Sequence, residues 1–212
     1  VTWALGNLTL IGDLAVAHLR QSLLALLLGA ALALPLGWFA WRRPRLRAVV
    51  ITGTGLMYTI PSLALLLILP IVVGLPATSE VNLIIALAIY VVAIMVRSVA
   101  DGLESVDAHV RESAVAMGYG SRRRFWTVDL PLALPPILAG LRVATVSTVS
   151  LATVGILVGV TNLGYLFTNG LQRRITGEVL AGIVTVAVIA LVLDLILALL
   201  GRRLMPWTRV PS

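Results

Sequence analysis

Residues 112–131 read ESAVAMGYGSRRRFWTVDLP, a charged, glycine-broken segment in a chain that is otherwise almost wholly apolar. Hydrophobic residues make up 59% of the 212 and charged residues 12%, with a mean hydropathy of +1.04; soluble domains are roughly half apolar and a quarter charged. That composition identifies an integral membrane protein. Apolar runs follow one another over short connections with no low-complexity linker, so a single all-α, polytopic membrane domain is expected. A polar segment of this length kept between two spans is the natural place for a soluble partner to hold.

A helix rising about 1.5 Å per residue needs about 20 apolar residues to cross about 30 Å of hydrocarbon. Five stretches on either side of the segment meet that length: residues 22–40, 49–73, 81–99, 136–160 and 179–200. Residues 1–21 then form an extracytoplasmic N-terminal segment, in which 8–20 is too short to span and reads as an interfacial helix. Residues 22–201 form the transmembrane domain, with a polar loop at about 101–135, and 202–212 a cytoplasmic tail. The start of the chain lacks the basic opening, short apolar core and small-residue cleavage site of a removable signal peptide.

Arginine sets the orientation. All 16 basic residues are arginine, and most flank apolar runs, so the formal charge of +7 is explained by membrane topology and not by nucleic acid. Arg42, Arg43, Arg45 and Arg47 follow the first span, Arg111, Arg122, Arg123 and Arg124 lie in the polar segment, and Arg202, Arg203 and Arg209 follow the last. Arg97 and Arg142 fall at the same ends of the third and fourth spans, leaving Arg20, Arg173 and Arg174 opposite. By the positive-inside rule the N-terminus is outside and the C-terminus cytoplasmic. Trp38 and Trp41 sit where an interfacial aromatic belt is expected, and Trp3 and Trp207 suit the same role at the chain ends.

The polar segment therefore faces the cytoplasm. Val106, Val110, Ala114 and Met117 recur at helical spacing, and Asp107 and Arg111 stand four apart in the favourable order. Gly118 and Gly120 can end this amphipathic helix in a left-handed turn; Ser121 can cap a second short helix carrying Arg122 to Phe125, which Pro131 would stop. The expectation is a helix-turn-helix along the membrane face; the alternative is a plain connecting loop.

These residues resemble a known motif. Glu112, Ser113, Ala114, three residues, Gly118, nine residues, then Val128, Asp129, Leu130 and Pro131 look like the EAA motif of permease subunits from binding-protein-dependent ABC importers, written E-A-A, three, G, nine, I-x-L-P. Ser113 for alanine and Val128 for isoleucine are conservative departures. Thr59-Ile60-Pro61-Ser62-Leu63-Ala64, Leu130-Pro131-Leu132-Ala133-Leu134-Pro135 and Asn162-Leu163-Gly164-Tyr165-Leu166 look like the osmoprotectant branch, which imports glycine betaine, choline, carnitine or proline betaine. Methionine and sulfonate importers share the architecture.

The resemblance implies a type I, MetI-like permease fold in a bacterial or archaeal cytoplasmic membrane. It implies a second permease, identical or paralogous, two ATPase subunits and an extracytoplasmic solute-binding protein. Glu112, Ser113, Ala114, Met117, Gly118, Tyr119, Gly120, Ser121, Arg122, Phe125, Leu130 and Pro131 would form the ATPase-coupling element, with the helix around Met117 to Arg124 seated in a cleft of the ATPase. When ATP draws the ATPases together, the spans would swing from inward-facing to outward-facing. The chain has no GxxxxGK[ST] loop, so ATP and Mg²⁺ would be held by the partner and no cofactor by this chain.

Other residues carry lesser expectations. Gly140, Ala144, Thr148 and Ala152 are spaced by four, and Gly155 and Gly159 extend the row; small residues let helix backbones approach closely in lipid. That makes the fourth span central, at a dimer axis or beside the pathway. Arg142 and Asp194 lie at matching depths of about 9 to 10 Å from the inner ends of their spans, so they can pair within the membrane; alternatively Arg142 snorkels and Asp194 bonds a hydroxyl. Tyr58 and Tyr90, with Ser62 nearby, are candidates for the solute pathway through cation–π contact, or else packing residues. Tyr165, Phe167, Asn162 and Asn169, near Arg173 and Arg174, form an outer loop that caps the pathway, meets the binding protein or simply connects.

Competing chemistry is thinner. There is no cysteine, which removes thiol catalysis and cysteine metal sites. His18 and His109 stand apart without a nearby second ligand, so no metal site is expected. No catalytic residues are assigned, because no carboxylate pair, histidine cluster or Ser/His/Asp set can be assembled from the spans. An ion-coupled secondary carrier using Asp194 is the remaining rival, alongside a methionine, amino-acid or sulfonate importer of the same architecture.

Overall fold

A computed structural model describes residues 2–208; Arg209 and the rest of the expected tail beyond 208 lie outside the described residues. Every regular element among them is helical: α1 (Thr2–Gly6), α2 (Leu8–Arg42), α3 (Pro44–Thr59), α4 (Ser62–Val73), α5 (Glu80–Glu104), α6 (Ala108–Ala116), α7 (Ser121–Arg124), α8 (Leu130–Ala152), α9 (Gly164–Gln172) and α10 (Thr176–Leu204). A π turn over Phe125–Asp129 joins α7 to α8, and 3-10 turns follow at Thr153–Val158 and Pro206–Thr208. Four runs are long and apolar enough to cross a membrane, and the bent pair α3–α4 makes a fifth if taken as one span.

α5 is the hub. It packs against α2 on one side and α8 on the other, and 67% of its most apolar stretch is buried, against 6% for α10. Between spans the lipid is as apolar as the side chains, so close fit and not removal from water holds these helices together. The fit comes from small residues on α2: Ala25, Ala33 and Ala40 are fully buried, and Gly29 and Gly37 complete the row. A Cβ added at Gly37 would lie 2.5 Å from the Val99 Cβ of α5, so any larger residue would push the two helices apart.

The first span differs from expectation. Residues 8–20 are not a separate interfacial helix; they belong to one 35-residue helix, α2. The apparent polar break at 18–22 faces protein and not lipid: His18, Gln21 and Ser22 are buried, while Arg20 pairs with Glu80 of α5 at 2.7 Å. At about 1.5 Å per residue α2 is about 52 Å long, so it tilts or projects beyond the hydrocarbon.

The second span is broken. α3 and α4 meet at 107°, because Ile60 precedes a proline and is held extended (ψ 125°), as is Pro61 (ψ 132°). The Tyr90 hydroxyl donates to the freed Ile60 carbonyl at 2.5 Å.

The fourth span begins earlier than expected, and Pro131 does not stop the helix before it. Residues 121–158 run as one helical rod, with the Leu130 amide bonding back five residues to the Phe125 carbonyl. This wider turn relieves the clash between a proline ring and the preceding turn.

Candidate functional site

The polar segment folds into a short arm. Asp107 caps α6 by accepting the His109 amide at 2.8 Å. It therefore does not hold the Arg111 side chain, which turns inward instead. α6 ends in a Schellman motif: Gly118 is left-handed (φ +83°), its amide bonds the Val115 carbonyl at 2.9 Å and that of Tyr119 bonds Ala114 at 3.0 Å. Gly120, not Ser121, occupies the cap position of α7, and Ser121 makes no capping bond.

The expected apolar face is divided. Val106 and Ala114 are buried, whereas Val110 is 41% and Met117 70% exposed. The coupling candidates separate in the same way. Glu112, Ser113, Met117, Gly118, Gly120, Ser121 and Arg122 are exposed on one knuckle; Ala114 is buried; Tyr119, Phe125, Leu130 and Pro131 are partly buried behind it. His109 and Glu112 approach to 3.6 Å, both largely exposed, so this pair adds little stability.

A buried carboxylate fixes the arm. Asp129 is fully buried and takes Arg111 Nε at 2.9 Å and Arg124 Nε at 3.2 Å. Arg111 also donates to the Leu103 carbonyl in the last turn of α5 and lies 5.2 Å over the Trp41 ring. Phe125 meets Trp38 edge-on at 6.3 Å and Trp126 at 5.3 Å, and Arg123 covers Tyr119 at 4.6 Å. Through these contacts the arm is tied to the ends of α2, α5 and α8. Trp38 and Trp41 thus brace the arm. The geometry is that of a rigid lever with an exposed tip, suited to receiving force from outside the membrane and passing it to three spans.

Residues 19–206 match the family described as the binding-protein-dependent transport system inner membrane component. The chain belongs to that family. It is 34% identical over 190 residues to the glycine betaine/carnitine/choline transport system permease protein OpuCD of Bacillus subtilis, covering 89% of this chain and 82% of that one. It is 35% identical to the choline transport system permease protein OpuBD of the same organism, covering 89% and 83%. In fold it matches a permease chain of the MetNI methionine ABC transporter, solved in inward-facing conformations, with a TM-score of 0.76 at 21% identity over 97% of this chain and 99% of that one.

This chain is therefore a multi-pass ABC importer permease that works with an ATPase and a substrate-binding protein, and ATP hydrolysis falls to the separate ATPase. Arg142 of α8 and Asp194 of α10 face each other in a bidentate pair, both bonds at 2.7 Å. Tyr58 and Tyr90 meet edge-on at 5.8 Å; Tyr90 is 4% exposed with its hydroxyl engaged, while Tyr58 is 49% exposed. Ser62 opens α4 just past the break and is partly exposed.

The small-residue row of the fourth span packs against α5 within this chain. A Cβ at Gly140 would strike Ser98 and one at Gly155 would strike Leu83, both on α5. Ala144, Thr148 and Ala152 are buried. Gly159 does not continue the row, because it adopts a left-handed turn (φ +85°) after the 3-10 segment.

The expected outer loop is instead a packed helix. Within α9, Leu166 is fully buried, and Gly170 lies against Glu178 and Val179 of α10. The Tyr165 hydroxyl accepts from Asn169 at 2.7 Å. Asn162 is fully buried, donating to Gln21 Oε1 at 2.9 Å and the Ala152 carbonyl at 2.8 Å while accepting the Gly164 amide at 2.8 Å. His18 joins this neutral knot, its Nε2 2.9 Å from the Val149 carbonyl.

The sequence reading missed Asp129, the knot and the small row on α2. Only the α2 row carried a local signal, a repeat of four.

Proposed function

We propose that this permease imports a small quaternary ammonium osmoprotectant, of the glycine betaine, choline, carnitine or proline betaine type, by alternating access. The knuckle from Glu112 to Arg122 is the surface that the ATPase grips. The observation that carries this reading is an exposed tip backed by the buried Asp129 clamp, an arrangement a plain connecting loop would not need. The solute class is supported by the names of the relatives, which transport glycine betaine, carnitine and choline.

In this reading two ATPase subunits hold ATP and Mg²⁺, each resting under a permease, and the second permease is an identical copy or a paralogue. The N-terminus lies outside and the C-terminus in the cytoplasm, a placement that the arginine distribution supports. α10, largely unburied in the protomer, has room to meet the second permease. Tyr58 supplies the aromatic face that a quaternary ammonium would pass, since Tyr90 is enclosed.

The test is reconstitution of the permease with its ATPase and binding protein, measuring which solute stimulates hydrolysis. Stimulation by a betaine or choline is the expected result. Stimulation by methionine or a sulfonate alone would overturn the solute class while leaving the coupling surface intact.

A further inference from the structure

One cleft lies behind the coupling knuckle and shares Arg122 with it. It has a volume of about 610 Å³ and opens between the inner end of α2 and the back of the arm, a size ordinary for a small-molecule site. Its floor is apolar, from Leu34 and Pro35 of α2 and Val99 of α5, and its walls are Trp38 and Trp126. Arg42 and Arg122 line the same cleft, and among the described residues neither has an acidic partner. Arg124 also lines it but is held by Asp129.

From these observations we propose that the cleft binds one anionic phospholipid of the inner leaflet, its phosphate on Arg42 and Arg122 and the first part of an acyl chain between Trp38 and Trp126. Leu34 lies eight residues before Arg42 on one helix, so the floor is about 12 Å deeper than the arginine level. That depth is in hydrocarbon, where a segment of the soluble ATPase does not reach. Charge completes the choice of occupant: basic pockets at cytoplasmic helix ends select anionic headgroups, and each arginine near the surface contributes about fivefold in affinity. The neutral aromatic walls alone would accept any lipid. An occupant here rests against Trp38, which meets Phe125 of the arm edge-on, and so fills the gap between the first span and the lever. The proposal rests on the inward orientation given above but not on the identity of the solute.

The test uses the permease–ATPase complex in nanodiscs of phosphatidylcholine with or without phosphatidylglycerol, followed by native mass spectrometry of retained lipid without solute or ATP. The complex should retain phosphatidylglycerol over phosphatidylcholine, and Arg42→Gln with Arg122→Gln should lower retention by about fivefold for each arginine removed. Leu34→Phe, which narrows the floor with both arginines present, should also lower it, whereas Arg173→Gln should not. Equal retention of the two lipids, unchanged retention in the double variant, or release of the lipid by soluble glycerol phosphate would each overturn the proposal. Labelling of Met117→Cys by a membrane-impermeant thiol reagent from either side tests the orientation separately. A wrong solute assignment leaves the lipid measurement standing.

Discussion

The two ends of the α2–α8 contact are held by opposite chemistry. At the inner end the arm is fastened by ionised groups, with Asp129 between Arg111 and Arg124 and arginines over aromatic rings. At the outer end the knot of His18, Gln21 and Asn162 is made of neutral amides, an imidazole and backbone carbonyls. Both joints are buried, but only the inner one carries an exposed tip. A charged clamp keeps a short element in one orientation against load, whereas neutral hydrogen bonds register one helix against another. On the proposed coupling, force would enter at the clamped end and the neutral knot would serve as a fixed reference.

The largest effect is expected at the clamp. Asp129→Ala leaves two partly buried guanidiniums facing a void, a loss of about 3 to 5 kcal/mol in local stability. It should detach the ATPase on co-purification while the spans remain inserted. Asn162→Ala at the outer knot removes neutral bonds from buried groups and should cost about 1 to 3 kcal/mol, read as a lower midpoint of thermal unfolding with ATPase attachment retained. If Asn162→Ala released the ATPase as fully as Asp129→Ala, the division of labour between the two ends would be wrong.

Gly118→Val is expected to cost about 1 to 2 kcal/mol, because a β-branched residue is forced into the left-handed turn at φ +83°. ATPase stimulation by solute should fall with it. Glu112→Lys should change thermal stability by less than about 0.5 kcal/mol, since the side chain is exposed, yet uptake should be lost. That last pairing, a stable permease that cannot be driven, sharpens the distinction between scaffold and contact residues within the arm.

Some of this was legible in the sequence and some was not, for physical reasons. The spans and the arm are local features: apolar runs of sufficient length, arginine asymmetry, and a left-handed glycine at a fixed distance from Glu112. The pairing of Arg142 with Asp194 follows from equal depth along two helices. The break at Ile60 and Pro61 had its signal in the proline, overridden by the length of the apolar run. The continuity of α2 was hidden because polar residues at 18–22 mark a break only if they face lipid, and they face protein. Asp129 was hidden by the π turn. Residues five apart, such as Arg124 and Asp129, do not share a face on an α-helix, and only the wider turn brings them together. The knot joins residues 21 and 162, a separation no local pattern can report.

The central claim is that the tip at Met117, and not any outer surface, is where the ATPase grips this permease. The sequence contains no cysteine, so Met117→Cys and, at the opposite end of the fourth span, the exposed Leu157→Cys each give a single reactive thiol. A crosslinker with a thiol-reactive group at one end and a photoreactive group at the other should, in the assembled complex, join Met117→Cys to the ATPase and leave Leu157→Cys unlinked to it. A complex that hydrolyses ATP normally yet links to the ATPase through Leu157→Cys, or fails to link to it through Met117→Cys, would contradict the account.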